Sequence, residues 1–219
     1  MTGRLLIAPE ADGERLTLAN GSASLRFVPR LGTTLPRYHL HVGRIVHASQ
    51  ELSLLRVQTT LLLGNDLTGQ AELCDFQTGA GLDEDARAEA LLQLVNAAVA
   101  HAGGSADRGE QLIAELPGWR NADGLSPFWQ SLGARFYGGD PDAEQARLGD
   151  PWRSHLAALL PRQTVYLSFL GPDAAARLGQ HVAAAVPIAR ALNAAGFDTS
   201  AHVRIDDGGP VFSRRLPAL

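Results

Sequence analysis

The first forty positions carry short apolar runs separated by turn residues. In Arg4–Ala19 (RLLIAPEADGERLTLA) two such runs flank Ala11-Asp12-Gly13. An Asp-Gly pair between apolar stretches predicts a hairpin, because these residues tolerate the positive backbone angles of a tight turn. LRFVP (Leu25–Pro29) is a third short run. GRIVHA (Gly43–Ala48) and TTLLL (Thr59–Leu63) are short and rich in β-branched residues or leucine, which predicts strands of a central sheet. Gly64-Asn65-Asp66 breaks the second of these. AELCDFQT (Ala71–Thr78) is a further strand, closed by Gly79-Ala80-Gly81.

The rhythm then changes from two to near 3.6. Between Asp83 and Ala102, apolar residues at Ala86, Ala90, Leu91, Leu94, Val95 and Ala98 form one helical face. Asp83, Glu84 and Asp85 suit the positive end of that helix's dipole, and the stretch from His101 to Ser105 ends it. A strand is predicted at Gln111–Leu116 (QLIAEL). A helix opens at Ser126-Pro127, with Trp129, Leu132, Gly133, Phe136 and Tyr137 at helical spacing. Asp150-Pro151 opens another, with Trp152, Leu156, Leu159 and Leu160 on one side. The last third adds a strand at Thr164–Leu170 and an alanine-rich helix stopping at Gly196. A strand from Phe197 to Ile205 and a turn at Asp207-Gly208-Gly209-Pro210 follow. Strands first and strand–helix units afterwards predict a mixed α/β fold.

Composition narrows the function classes. A net charge of −4 disfavours nucleic acid and anionic membrane as principal partners, since both reward clustered cations. The basic residues are all arginine and scattered. No apolar run approaches the ~20 residues that span a bilayer, and MTGRLLIAPEADGERL lacks the apolar core of a leader peptide. Cys74 is the single cysteine, so no internal disulfide can form, and a buried, inert thiol is the plainer reading of it. The expectation is a cytoplasmic protein. His39, His41 and His47 lie close in sequence, but no carboxylate stands at a matching spacing, so no metal site is expected.

Several ordered stretches resemble the arginine N-succinyltransferase family. They are VHASQEL (Val46–Leu52), NDLTGQAELC (Asn65–Cys74), IAELPG (Ile113–Gly118) and SPFWQSLGARFY (Ser126–Tyr137). ALNAAGF (Ala191–Phe197) and IDDGGP (Ile205–Pro210) complete the set. The resemblance implies a GNAT-like acyltransferase fold, a mixed, splayed sheet flanked by helices. It divides the chain into a core, residues 1–140, and a C-terminal αβ lobe, 141–219, packed on it. It implies transfer of succinyl from succinyl-CoA to the α-amino group of arginine or ornithine in arginine catabolism. The acyl-CoA would act as co-substrate rather than tightly bound cofactor, and a homo- or hetero-oligomer with a related chain is expected.

The resemblance also assigns sites. Backbone N–H groups near Asp75, Phe76 and Gln77 would polarise the thioester carbonyl, and Tyr137 would face the departing thiolate. His47 and Glu51 are candidates for the amino-acid acceptor or an intersubunit groove, though a hydrogen-bonded structural histidine is the commoner outcome. Asn65, Asp66 and Thr68 read first as a turn whose side chains bond to nearby backbone. Asp66 or Glu72 could alternatively grip a guanidinium, whose fork matches a carboxylate.

Three departures stand against activity. The family's opening strand and helices, which precede the segment matching Arg4–Leu18, are absent from this chain. Its glycine-rich phosphate loop is replaced by Asp83-Glu84-Asp85, leaving Gly79 and Gly81 as a weak alternative cradle. A carboxylate ~5 Å from a phosphate oxygen costs ~3 kcal/mol at an effective dielectric of ~20. Gln163 stands where the family has its proton-donor histidine, and an amide exchanges no proton near neutral pH. The expectation is therefore a catalytically impaired or non-catalytic relative. The alternatives are an active N-acyltransferase and an unrelated small-molecule binding module.

Overall fold

The computed structural model describes residues 4–217; Met1–Gly3 of the segment read for a leader lie outside them. Ten strands form one sheet: β1 (Leu5–Glu10), β2 (Gly13–Leu18), β3 (Ala23–Val28), β4 (His39–Ser49), β5 (Leu54–Gly64), β6 (Ala71–Thr78), β7 (Gln111–Glu115), β8 (Val165–Tyr166), β9 (Asp198–Arg204) and β10 (Pro210–Arg215). Six α-helices accompany them: α1 (Glu84–Gly104), α2 (Pro127–Ser131), α3 (Pro141–Leu148), α4 (Pro151–Leu159), α5 (Pro172–Arg177) and α6 (Val186–Ala194). The strand order is β1-β2-β3-β6-β7-β10-β9-β4-β5-β8. The two last strands of the chain thus sit inside the sheet, between β7 and β4.

Only β6 and β7 run parallel, and they pair at just two positions, Ala71↔Leu112 and Glu72↔Ile113. Beyond Glu72 the strands part. A residue count also slips between β3 and β6: Ser24 faces Gln77, yet Arg26 faces Cys74. The extra residue on β6 is a bulge, and Asp75 within it takes a φ of 52°. This mixed, open sheet with flanking helices is the fold class the sequence led us to expect.

Two large apolar cores and a small cluster of Leu31, Leu67, Ile113 and Val211 hold the sheet. In the first, α1 and α6 pack on β2, β3, β6, β7 and β10, with Leu91, Leu94, Val95 and Leu192 against Leu25, Leu73 and Phe212. The helix face read from sequence is the buried one: Ala90, Leu91, Leu94, Val95 and Ala98 are all inside. The carboxylate of Asp83 caps α1, accepting from the Ala86 N–H at 2.8 Å. In the second core, Phe128, Trp129, Trp152 and Leu156 pack on Leu40, Leu61, Leu63 and Val203.

Three expectations need correction, and one element lies outside them. The strand foreseen at Thr164–Leu170 pairs only at Val165 and Tyr166, then becomes a 3-10 turn, because the next residues drop Leu170 into the second core. The alanine-rich helix is two short ones: Gly179 has a φ of 72° and Pro187 opens α6, so a continuous helix cannot form. The helix from Ser126 ends at Ser131, where Gly133 lies so close under Trp129 that an added Cβ would sit 2.2 Å from the ring. Helix α3 was not foreseen, since it buries no residue and so leaves no apolar period to read.

Leu94 is fully buried at the centre of the first core. Leu94→Ala is expected to lose ~2–5 kcal/mol in urea unfolding, while Leu159→Ala, half exposed on α4, changes stability by less than ~1 kcal/mol.

Candidate functional site

Where β6 and β7 part, the gap is filled by charge. Glu72 and Glu115 sit on these strands with side chains only 3% exposed. Alternation along parallel strands puts Glu72, Cys74, Ile113 and Glu115 on one face. Five elements supply the counter-charges. Arg37, from the loop before β4, reaches Glu115 at 3.1 Å, Glu72 at 3.5 Å and Asp150 at 3.6 Å. His39 on β4 bonds Glu115 at 2.8 Å, and Arg153 of α4 bonds the other oxygen of Glu115. Arg153 also meets Asp206 at 3.3 Å, and Arg204 of β9 clasps Asp206 at 2.7 Å and Asp207 at 3.0 Å. Arg26 of β3 completes the set, bonding Asp75 at 2.9 Å and Asp150 at 3.1 Å.

The four arginines, Glu72, Glu115, Asp75 and Asp150 wall a cleft of about 350 Å³ that Cys74, Phe76, Pro117, Gln145 and Ile188 also line. A second cleft of about 680 Å³ shares Arg26, Arg37, Glu72 and Asp150 with it, and is bounded by the loop from Pro29 to Pro36. The backbone is tight here as well: a Cβ on Gly118 would lie 2.2 Å from the Asp207 carbonyl oxygen, so the IAELPG and IDDGGP turns touch.

The two central carboxylates titrate in opposite directions. Burial drives Glu72 up from 4.5 to about 7; Arg37 opposes this and Glu115 reinforces it. Burial also works upward on Glu115, but Arg153, Arg37 and His39 outweigh it and hold that carboxyl well below its usual range. Asp206 is likewise held low against burial, by Arg204 and Arg153, whereas burial and Asp206 raise Asp207. The Cys74 thiol is pushed up by burial and then by Glu72, which leaves it protonated and a poor nucleophile.

The residues singled out from sequence are dispersed. Glu72, Asp75 and Phe76 line the cleft, with Gln77, Gly79 and Gly81 further along the same strand and its exit. The Gly79 N–H is spent on the Ser22 carbonyl at 2.8 Å. Glu72 faces a guanidinium belonging to this chain. Asn65, Asp66 and Thr68 form the turn after β5, where the Thr68 N–H donates to the Asn65 carbonyl and Asp66 pairs with His202 at 2.7 Å. His47 lies on the outer part of β4, 6.2 Å ring to ring from Tyr166, and Glu51 is at the hairpin tip. The Tyr137 hydroxyl donates to Glu144 at 2.8 Å and its ring packs on Trp152. Gln163 is exposed in the loop before β8. Five strand steps separate β8 from β7, roughly 24 Å at ~4.8 Å per step. His41 lies against His202 rather than in a metal-binding group. Among the described residues no three His, Cys, Asp or Glu side chains are placed to hold a metal.

The model of the arginine N-succinyltransferase beta-subunit family matches residues 20–219. The chain belongs to the arginine N-succinyltransferase family. Arginine N-succinyltransferase of Enterobacter sp. (strain 638) is 36% identical over 182 residues, covering 82% of this chain and 52% of that protein. The enzyme of Salmonella paratyphi B is 34% identical over the same span. The chain therefore spans about half the length of the curated relatives it matches. Arginine/ornithine succinyltransferase subunit AI from Pseudomonas aeruginosa superposes with a TM-score of 0.70 at 24% identity, covering 95% of this chain and 61% of that one. That likeness establishes the fold.

Family membership places the motifs, yet the charged cluster was not legible from them. Arg37, Glu115, Arg153 and Arg204 were passed over because each stands alone in an apolar or loop context. The available signal was a glutamate inside QLIAEL and the paired aspartates of IDDGGP, since an acid within a buried strand demands a partner.

The raised Glu72 carboxyl has a testable consequence. Below pH 4.5 it is protonated in folded and unfolded chains alike, and its ionisation cost accumulates as pH rises to about 7. Glu115 acts oppositely, losing stability as pH falls below 4.5. In urea unfolding at pH 5 and pH 8, Glu72→Gln is expected to gain on the parent as pH rises, by up to ~3 kcal/mol.

Proposed function

We propose that this chain is a non-catalytic member of the arginine N-succinyltransferase family, serving as a subunit with the sheet of an acyltransferase but without its acyl-CoA machinery. The observation that carries this reading is the N-terminus of α1. Its N–H groups would meet the CoA pyrophosphate in a family member with a glycine-rich loop. Here Asp83 itself accepts from the Ala86 N–H, and Glu84 and Asp85 occupy the first turn. An anion arriving there meets three carboxylates, and the Ala86 N–H is already taken. Gly79, in the alternative cradle, has its N–H committed to Ser22. Gln163, exposed in the loop before β8, offers no exchangeable proton near neutral pH.

The amino-acid side is closed in the same way. Glu72 and Glu115 are carboxylates of the kind that would hold arginine's guanidinium; Arg37 and Arg153 already satisfy Glu115, and Arg37 stands 3.5 Å from Glu72. The role that remains is assembly with a related chain of arginine catabolism in the cytoplasm.

One feature favours the second reading, an active acyl-CoA-dependent N-acyltransferase acting on arginine or ornithine. The bulge at Asp75 interrupts β6 where the strands splay, and its positive φ turns the local backbone N–H groups away from regular pairing. Donors so placed could polarise a thioester carbonyl at Asp75–Gln77.

Calorimetric titration separates the two. Succinyl-CoA and acetyl-CoA are expected to give no saturable heat up to millimolar concentration, alone or with arginine present. Gln163→His is expected to leave turnover undetectable. Micromolar binding of either thioester by the single chain would overturn the proposal in favour of the enzyme.

A further inference from the structure

The β4–β5 hairpin is longer than the sheet that carries it. Strand β9 pairs with β4 only over His39–His41, and β8 pairs with β5 only at Thr60 and Leu61. From Gly43 to Gln58 the two strands therefore project as an arm whose backbone pairs only within itself, with His47 against Tyr166 on one face. A lone two-stranded hairpin is marginally stable in water, so an arm of this length calls for something to pack on.

Register shows which face needs covering. On one face the rows run Leu40/Leu63, Val42/Leu61, Arg44/Thr59, Val46/Val57 and Ala48/Leu55. The first two rows pack in the second core. The last two continue the same apolar row beyond the helices, with Val46, Val57 and Leu55 exposed by 60%, 57% and 77%. The opposite face is mixed, pairing Ile45 with Gln58, His47 with Arg56 and Ser49 with Leu54.

We propose that a second copy of this chain covers that apolar face, the two arms packing antiparallel across a two-fold axis near the Val46/Val57 and Ala48/Leu55 rows. In such a contact each residue meets its counterpart twice, so the surface must complement itself. It does so in charge as well as in apolarity. Arg44 stands about 10 Å from the axis toward the stem, at ~3.4 Å per residue, and the tip bearing Glu51 lies a similar distance the other way. Antiparallel stacking therefore brings each Arg44 to the partner's tip. Among the described residues neither Arg44 nor Glu51 makes an ion pair within its own chain. A cation at the stem and an anion at the tip, flanking a dry apolar centre, are what an isologous pair requires. The proposal goes beyond the reading above and stands or falls independently of acyl-CoA binding.

The contact is small, so a dimer with a dissociation constant between about 1 and 100 µM is expected. Sedimentation equilibrium over that range tests it. Leu55→Asp, at a side chain facing solvent in the monomer, is expected to weaken association at least 30-fold while leaving the circular dichroism spectrum unchanged. Arg44→Glu is expected to weaken it several-fold, and the swap Arg44→Glu with Glu51→Arg to restore it. A parent that stays monomeric throughout would overturn the proposal. So would a dimer indifferent to Leu55→Asp, or a swap no better than Arg44→Glu alone.

Discussion

The charge of Glu115 organises the middle of this molecule. It sits on β7 where the sheet divides, buried, and held ionised by Arg153, Arg37 and His39. A buried carboxylate without partners costs several kcal/mol, so each of its three partners must arrive from its own element. Arg37 fixes the loop ahead of β4, His39 fixes the start of β4, and Arg153 fixes α4. Through Asp206 the same arginine ties in Arg204 and the end of β9. Two apolar cores that share no residue are thereby joined across the splay by ionic contacts.

That arrangement bears directly on function. An acyltransferase sheet parts so that a ligand can enter between the strands. Here the sheet parts beside the bulge at Asp75, and most of the polar walls of the opening are paired internally. Glu72 contributes an imbalance. Its nearest cation is shared with Glu115, which lies closer to it, so burial prevails and the Glu72 carboxyl rises to about 7. The group least satisfied by the network thus lies at the boundary of both clefts.

Local rules were legible wherever one element could meet its requirement alone. The buried face from Ala90 to Ala98 and the hairpin around Asp12-Gly13 follow from neighbouring residues, and the structure bears them out. The acidic first turn of α1 was legible for the same reason. Helix α3 was hidden because nothing on it is buried. The reach of β4 and β5 was hidden because Val46, Leu55 and Val57 look like core residues and yet lie in solvent. Asp66 illustrates a different limit: its sequence neighbours describe a turn, while its partner, His202, comes from a distant strand.

By itself the sequence determined the family, the mixed α/β class and the acidic start of α1 at Asp83-Glu84-Asp85. These depend on ordered motifs and on residues adjacent in the chain. Only the tertiary structure decided that Glu72 and Glu115 answer to the protein's own arginines, that β9 and β10 enter the sheet between β7 and β4, and that the VHASQEL hairpin stands clear of it. The physical reason is common to all three. A buried charge, a strand edge and an apolar face are each completed by groups far away in sequence, and nothing in the local pattern names the partner.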